Sequence, residues 1–165
     1  MKFLEHDHAV SLKKIFVLGG QVSILDEPGD LITILGSCVS VCLWDRETRV
    51  GGMNHFLLPE TVNDSKSLNG GISSTRKLIQ LMSLRVPNIK KLEARIFGGA
   101  NRFFKEKSFL NVGAQNVEAA KIVLEESGIN AVQFDVGGEP GRKIHFNTET
   151  GKIRIIKIEY EKYPL

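Results

Sequence analysis

Two cysteines lie four positions apart in the segment LGSCVSVCLWD, residues 35–45. Cys42 lies within an apolar run, where a free cysteine usually acts as a small apolar side chain, and we interpret it so. Cys38 directly follows a Gly-Ser pair, and a turn there would expose its sulfur. Cys38 is therefore a candidate nucleophile, with an inert buried thiol as the open alternative.

Gly36 and Ser37 form the expected turn before Cys38. Glycine can adopt backbone conformations that other residues avoid, and serine is small. Such a turn can aim consecutive backbone N–H groups at one point, which is the geometry of an oxyanion hole. We expect the hole, if present, within residues 36–39.

A nucleophilic thiol needs a base within hydrogen-bond reach, and that base is usually histidine. A turn near residues 45–48 is expected to join two strands into a hairpin. Cys38 and His55 would then lie at similar positions along the two paired strands. The spacing predicts a Cys38–His55 pair, with a half-buried strand histidine as the open alternative. The remaining histidines lie in the polar N-terminus or in a late predicted strand, at His6, His8 and His145.

The cysteine spacing argues against a disulfide and a metal site. In an extended strand, Cys38 and Cys42 would lie about 13 Å apart, whereas a disulfide needs Cα atoms within about 7 Å. The C-x-x-x-C spacing is typical of neither a redox pair nor a zinc knuckle. A four-ligand site with His55 and His145 can be drawn, but we expect no metal and no organic cofactor.

The composition is that of an ordinary globular chain. Its 165 residues fit one domain, residues 1–165, with 1–11 as an N-terminal extension and 159–165 as a C-terminal tail. The net charge of +3 is spread along the chain, which gives no case for nucleic-acid binding. No apolar run reaches the length of a membrane span, and the N-terminus does not resemble a signal peptide. We expect a reduced, cytoplasmic monomer without membrane insertion.

Short strands and two helices must position these residues. Periodicity and turn residues predict helices over 72–84 and 116–128, the second with Asn116 as N-cap and Gly128 just past its end. The predicted strands cover 12–18, 21–25, 31–35, 39–44, 53–59, 91–97, 129–136, 143–146 and 152–160. The pattern predicts a strand-rich α/β domain.

Five segments carry a recognisable pattern: TILGSCVSVCLWD, VGGMNHFLLP, ARIFGGANRF, NVGAQNVEAAKIVLEESGI and DVGGEPGRKIHFNTETGKI. The most specific feature is Gly-Ser-Cys-Val followed by Asn-His-Phe-x-Leu-Pro. In this order the segments resemble the bacterial CheD family of chemoreceptor glutamine deamidases, and the resemblance covers about residues 14–158. It implies a layered α/β/β sandwich, similar to deamidating bacterial toxins.

The resemblance implies hydrolysis of glutamine side chains to glutamate on methyl-accepting chemoreceptors. It assigns Cys38 as nucleophile and His55 as base, with Thr33 as the third member of the triad. Asn54 is the alternative group to orient the imidazole, ranked lower because neighbours in a strand point to opposite faces. The candidate substrate-cleft residues are Asn54, Gly98, Gly99 and Asn101, and for the GGAN segment a purely structural turn stays open.

Other functions fit the same residues. The family resemblance also implies, for some members, a CheC-type phosphatase partner. The chain could then be a non-catalytic module that binds this phosphatase or a receptor. A cysteine peptidase or a receptor methylesterase could use the same nucleophile.

Overall fold

The computed structural model describes residues 12–60, 64–103 and 108–159. Within them the helices are α1 Gly71–Ser83 and α2 Val112–Glu126, with a short 3₁₀ helix at Ile89–Lys91. The strands are β1 Lys13–Phe16, β2 Val22–Leu25, β3 Gly29–Leu35, β4 Val39–Trp44, β5 Gly51–Asn54, β6 Glu93–Gly98, β7 Asn130–Val136, β8 Gly141–Asn147 and β9 Ile153–Ile158. The predicted N-terminal extension and most of the predicted tail lie outside the described residues.

The strands form two sheets. The four-stranded sheet has the order β1-β3-β8-β9, and the five-stranded sheet has the order β2-β5-β4-β6-β7. Neighbours pair antiparallel except for β1 with β3 and β6 with β7, which pair parallel. Consecutive strands β3 and β4 belong to different sheets, so the Gly36–Cys38 segment is one of the links between the two layers.

The layers stack in the order helices, five-stranded sheet, four-stranded sheet. Helices α1 and α2 pack on one face of the five-stranded sheet, and its other face packs on the four-stranded sheet. This arrangement confirms the predicted α/β/β sandwich. The buried side chains between the sheets are Val17, Leu25, Leu31, Leu35, Cys42, Trp44, Met53, Phe97, Ile144 and Phe146.

Strand β4 runs through the middle of this stack, and every residue in it is buried. Val39, Val41 and Leu43 face the helices, whereas Cys42 and Trp44 face the other sheet. When both faces of a strand are covered, nearly every position in it is apolar. This explains why β4 contains so few polar residues. The sequence pattern of residues 39–44 therefore reports a central strand.

The predicted start of the second helix is wrong. Helix α2 begins at Val112, and its N-cap is Asn111, whose side chain accepts a hydrogen bond from the Ala114 N–H at 3.0 Å. The chain carries the dipeptide Asn-Val at both 111–112 and 116–117, so the local capping signal occurs twice. Asn116 lies inside the helix. Gly128 follows the C-cap residue with a φ of +67°, as predicted for the position just past the end.

The predicted extended segment 53–59 is also shorter than expected. Strand β5 ends at Asn54, after which Phe56 and Leu58 make only isolated bridges to Val39 and Gly70. The chain turns away here because the N–H groups of Leu57 and Leu58 both donate to the Asn69 carbonyl. The first helix and the other strands agree with prediction to within a few residues.

Replacing Asn111 by alanine tests the corrected helix start. The substitution should lower the free energy of unfolding by about 1 kcal/mol, because it leaves an N-terminal N–H group of α2 without its acceptor. Urea denaturation measures this loss. Glu118→Ala, at an exposed position of the same helix, is the control and should stay within about 0.5 kcal/mol of wild type. Equal losses in the two variants would contradict the assignment of Asn111 as the cap.

Candidate active site

Cys38 and His55 are brought together by the pairing of β4 with β5. Antiparallel pairing continues beyond β5 to a bridge between Val39 and Phe56, whose two backbone hydrogen bonds measure 3.1 and 3.0 Å. Cys38 and His55 each precede one member of this bridge. They are therefore diagonal neighbours on one face of the sheet, a relation that places Cα atoms about 7–8 Å apart. Cys38 packs against the core between the sheets, so this shared face is the one turned to the four-stranded sheet.

Thr33 reaches the imidazole from the opposite sheet. Along β3, Leu31, Thr33 and Leu35 share the inward face, and Thr33 is 2% exposed. The Thr33 hydroxyl donates to the Val17 carbonyl at 2.6 Å, and its Oγ1 lies 2.9 Å from His55 Nδ1. The structure thus joins all three residues of the predicted triad in one place.

These contacts decide which ring nitrogen of His55 carries the proton. A hydroxyl has one proton, and since Thr33 donates it to Val17, the Thr33 oxygen accepts from His55. The Val17 carbonyl, 3.3 Å from Nδ1, also accepts from this nitrogen. Neutral His55 therefore carries its proton on Nδ1, which leaves Nε2 with a lone pair for general-base work.

The turn between β1 and β2 wraps around His55. The Gly20 N–H donates to the His55 carbonyl at 2.8 Å, and the His55 N–H donates to the Gln21 carbonyl at 3.0 Å. A side chain at Gly19 would have its Cβ 3.0 Å from Leu57 Cδ1 and close to His55 Nε2. Sequence reasoning missed this part of the site, because Val17 and its neighbours act through backbone atoms. The sequence marks this turn only by its two consecutive glycines, Gly19 and Gly20.

The Gly36–Cys38 turn is held by its carbonyl groups. In a planar peptide the carbonyl and the following N–H point in opposite directions, so these anchors turn the Ser37 and Cys38 N–H groups away from them. Neither N–H has a backbone acceptor among the described residues. The donors to Gly36, Ser37 and Cys38 are, in order, the Ala100 N–H at 2.9 Å, the Asn116 side-chain amide at 3.0 Å and the Gly99 N–H at 2.8 Å.

Gly98 and Gly99 support this turn from behind. Both are buried and have positive φ values of 105° and 66°, which side-chain-bearing residues rarely adopt. A Cβ on Gly98 would lie 2.2 Å from the Cys38 carbonyl oxygen. The buried Arg142, ion-paired with Asp135 at 2.7 Å, donates to the Gly98 carbonyl at 3.3 Å. Both glycines thus lie against the backbone of the Gly36–Cys38 turn, and Gly99 also packs against α2 at Gly113 and Val117.

Asn101 lies beside an open cavity, whereas Asn54 does not. A cavity of about 310 Å³ adjoins the turn and is lined by Gly36, Ser37 and Asn101, together with apolar groups that include Phe103 and Leu110. The predicted place of Asn54 in the substrate cleft is wrong, because its side chain is fully buried.

The partners of Asn54 lie on the opposite face of β5 from His55. Its Oδ1 accepts from the Val41 N–H at 2.7 Å, and its Nδ2 donates to Thr75 of α1 at 3.3 Å. Since neighbouring strand residues point to opposite faces, Asn54 cannot orient the imidazole. This leaves Thr33 as the hydroxyl partner of the ring.

Burial shapes the acid–base chemistry of the pair. Desolvation lowers the pKa of His55 below its ordinary value, although the hydrogen bond to Val17 opposes the shift. Desolvation raises the pKa of Cys38 above its ordinary value, although the residue's own backbone N–H opposes this. At neutral pH both groups are therefore uncharged at rest. The deeper Cys42 is fully buried, and its pKa is raised to about 12.

Two further observations bear on other functions. Within residues 12–60, 64–103 and 108–159, no group of three or more His, Cys, Asp and Glu side chains could hold a metal ion. In the same ranges, neither helix is long and apolar enough to cross a membrane.

Comparison with known proteins identifies the class as bacterial chemotaxis proteins. A family model described as CheD chemotactic sensory transduction matches residues 57–157. The probable chemoreceptor glutamine deamidase CheD 1 of Anaeromyxobacter dehalogenans is 38% identical over 138 residues, which are 84% of this chain and 81% of the relative. The chain belongs to the CheD family.

A further curated relative and a solved structure are also similar to this chain. The chemoreceptor glutamine deamidase CheD of Thermotoga maritima is 35% identical over 149 residues, covering 89% of this chain and 93% of the relative. Among solved structures, the hypothetical protein YfiH of Bacillus licheniformis shares 13% identity at a TM-score of 0.46, covering 72% of this chain and 49% of the other. That likeness is too distant to carry a functional argument.

Alkylation with iodoacetamide tests the uncharged resting pair. In the native protein Cys38 should react and Cys42 should not, because only Cys38 is partly exposed. The rate should still rise above pH 9.0, the ordinary thiol pKa, because burial raises the pKa of Cys38. Mass spectrometry of the labelled peptides measures both. A rate that levels off near neutral pH would instead indicate a resting thiolate–imidazolium pair.

Proposed function

We propose that this chain hydrolyses glutamine side-chain amides of methyl-accepting chemoreceptors, with Cys38 as nucleophile and His55 as base. The substrate is proposed from the family, whose curated relatives are named chemoreceptor glutamine deamidases. The chemistry rests on one observation: the Thr33–Val17 hydrogen bond makes Thr33 an acceptor for His55 Nδ1–H. That arrangement leaves Nε2 as a base, which a merely structural histidine would not need.

In the first half-reaction the Cys38 sulfur attacks the carboxamide carbon of the receptor glutamine. Its proton passes to His55 Nε2 as the carbon–sulfur bond forms. The oxygen of the tetrahedral intermediate gains negative charge, and the N–H groups of Ser37 and Cys38 are available to stabilise it. His55 then returns the proton to the nitrogen, the carbon–nitrogen bond breaks, and ammonia leaves. The glutamine acyl group is now a thioester of Cys38.

In the second half-reaction water attacks the thioester carbon and gives its proton to His55 Nε2. The carbon–sulfur bond breaks, the Cys38 sulfur regains a proton from His55, and glutamate is released. Throughout, Thr33 and Val17 hold the Nδ1 proton and keep the ring facing the sulfur, the role that a carboxylate plays in serine hydrolases. His55, Cys38 and water carry every proton, so the scheme needs no metal or organic cofactor.

The biological setting completes the proposal. Chemoreceptor glutamines as substrates imply that the enzyme works in the cytoplasm. A CheC-type phosphatase partner and a monomeric state remain predictions from the sequence. The cavity beside the turn, with its polar Asn101 and apolar rim, is our candidate for the surface that contacts the receptor segment flanking the reactive glutamine, because Gly36 and Ser37 line it directly before Cys38.

Incubation with purified chemoreceptors tests the nucleophile. Wild type should convert receptor glutamine to glutamate, a gain of about 1 Da per site by mass spectrometry, and Cys38→Ala should reduce the rate at least about a thousandfold. Cys42→Ala is the matched control and should retain activity, because Cys42 is sealed in the core between the sheets. Conversion by Cys38→Ala at the wild-type rate would contradict the proposal. Cleaved receptor would indicate a peptidase, and loss of receptor methyl esters without deamidation would indicate an esterase.

A pair of substitutions at Thr33 tests the orientation of the imidazole. Thr33→Val has nearly the same shape but no oxygen to accept from His55 Nδ1–H, so kcat should fall about ten- to a thousandfold with KM little changed. Thr33→Ser keeps the hydroxyl and should retain most of the activity. Ammonia release at varied substrate concentration separates kcat from KM. Equal activity of the valine and serine variants would show that the hydroxyl plays no part.

A further inference from the structure

Asn116 joins the two segments that carry the reactive groups. It lies in the second turn of α2 and is fully buried. Its side-chain NH₂ group donates to the Ser37 carbonyl and to the Leu57 carbonyl, each at 3.0 Å. Ser37 directly precedes Cys38, and Leu57 lies two residues after His55, so one amide reaches both sides of the site from the helix layer.

The two carbonyl groups need this particular kind of donor. Backbone pairing between the segments is present at Val39 and Phe56, but the N–H of Leu57 then donates to Asn69 instead. The Ser37 and Leu57 carbonyl groups are therefore two neighbouring acceptors at the point where the chains part. A side-chain amide supplies two N–H donors from one atom, whereas a hydroxyl supplies one and a carboxylate none.

The orientation of the amide is unambiguous. Turning it over would place its oxygen against the two carbonyl oxygens. In the observed orientation Oδ1 is buried and has no hydrogen-bond partner among the described residues. A buried acceptor without a partner costs stability, so the two N–H contacts must outweigh that cost.

The contact to Ser37 sets the direction of a catalytic donor. The Ser37 carbonyl and the Cys38 N–H belong to one planar peptide and point in opposite directions. Holding the carbonyl at Asn116 therefore turns the N–H to the other side. The Cys38 N–H lies beside its own sulfur, where it counteracts the burial of the thiol. The oxygen of the tetrahedral intermediate would form on the carbon bonded to that sulfur, within reach of this N–H.

We infer that Asn116 is a positioning residue for amide hydrolysis. Through the Ser37 carbonyl it aims the Cys38 N–H at the developing oxyanion, and through the Leu57 carbonyl it holds the His55 segment beside it. The inference rests on the proposed function, because it requires Cys38 to be the nucleophile.

Two substitutions of Asn116 test this role. Asn116→Ala removes the whole amide, and Asn116→Asp keeps its size but replaces both N–H donors with an acceptor. Each should lower kcat for ammonia release about a hundredfold with KM within about threefold of wild type, the pattern expected when an oxyanion donor is misaimed. Rates are expressed per folded molecule, determined by circular dichroism. If the aspartate variant does not fold, the alanine variant decides.

Ala120→Gly is the matched control. Ala120 is also fully buried in α2, one turn further along, and its replacement weakens the helix without touching either carbonyl. Its kcat should stay within about twofold of wild type. Alkylation of Cys38 by iodoacetamide is the second control reaction, because it needs the thiolate but forms no oxyanion. In Asn116→Ala the alkylation rate should fall at least about tenfold less than deamidation does, because the Cys38 N–H affects the thiol as well as the oxyanion.

The outcomes separate the two proposals. An active wild type whose Asn116→Ala variant keeps its kcat, or loses no more than Ala120→Gly, overturns the positioning role alone. Alkylation and deamidation that fall together by the same factor also overturn it, since the substitution would then have damaged the thiol environment as a whole. A wild type that releases no ammonia from receptors overturns the proposed function, and the inference with it.

Discussion

The hydrogen bond between Thr33 and His55 crosses from one sheet to the other, and the geometry of the site depends on it. Thr33 belongs to β3 of the four-stranded sheet, whereas His55 directly follows β5 of the five-stranded sheet. A distance of 2.9 Å can be kept between two separate sheets only if their spacing and register are rigid. The apolar core between the sheets, with Leu31 and Met53 close to the pair along their strands, supplies that rigidity.

All three layers of the sandwich contribute to the site. The four-stranded sheet provides Thr33, and the five-stranded sheet provides Cys38 and His55 at the end of one ladder. The helix layer reaches the Gly36–Cys38 turn through Asn116, which donates to the Ser37 carbonyl. The turn can be held from so many sides because the chain crosses there from one sheet to the other. A site built in this way responds to packing changes in any layer.

Burial distinguishes the two cysteines, which lie on the same strand face. Cys42 is enclosed between the sheets, and its thiol stays protonated because burial raises its pKa to about 12. Cys38 lies at the edge of that core, where it is partly exposed and close to the turn's N–H groups. The same desolvation lowers the pKa of His55, so the resting pair is uncharged. In the proposed reaction the charge develops only during attack, and the turn that precedes Cys38 would stabilise it.

The residue pattern by itself determined most elements, the hairpin that pairs Cys38 with His55, and the turn at Gly36 and Ser37. These features depend on side-chain periodicity and on short connections, which are local properties. Thr33 became a candidate only through the resemblance to the CheD family. Only the tertiary structure decided that the Val17 carbonyl accepts a hydrogen bond from Thr33 and that Asn54 faces α1. It also decided that Asn116 lies inside a helix and donates to the Ser37 carbonyl, 79 positions away. Those outcomes depend on backbone carbonyl groups and on contacts between distant segments. Every residue has the same backbone carbonyl, so no pattern of residue types marks the ones that become partners.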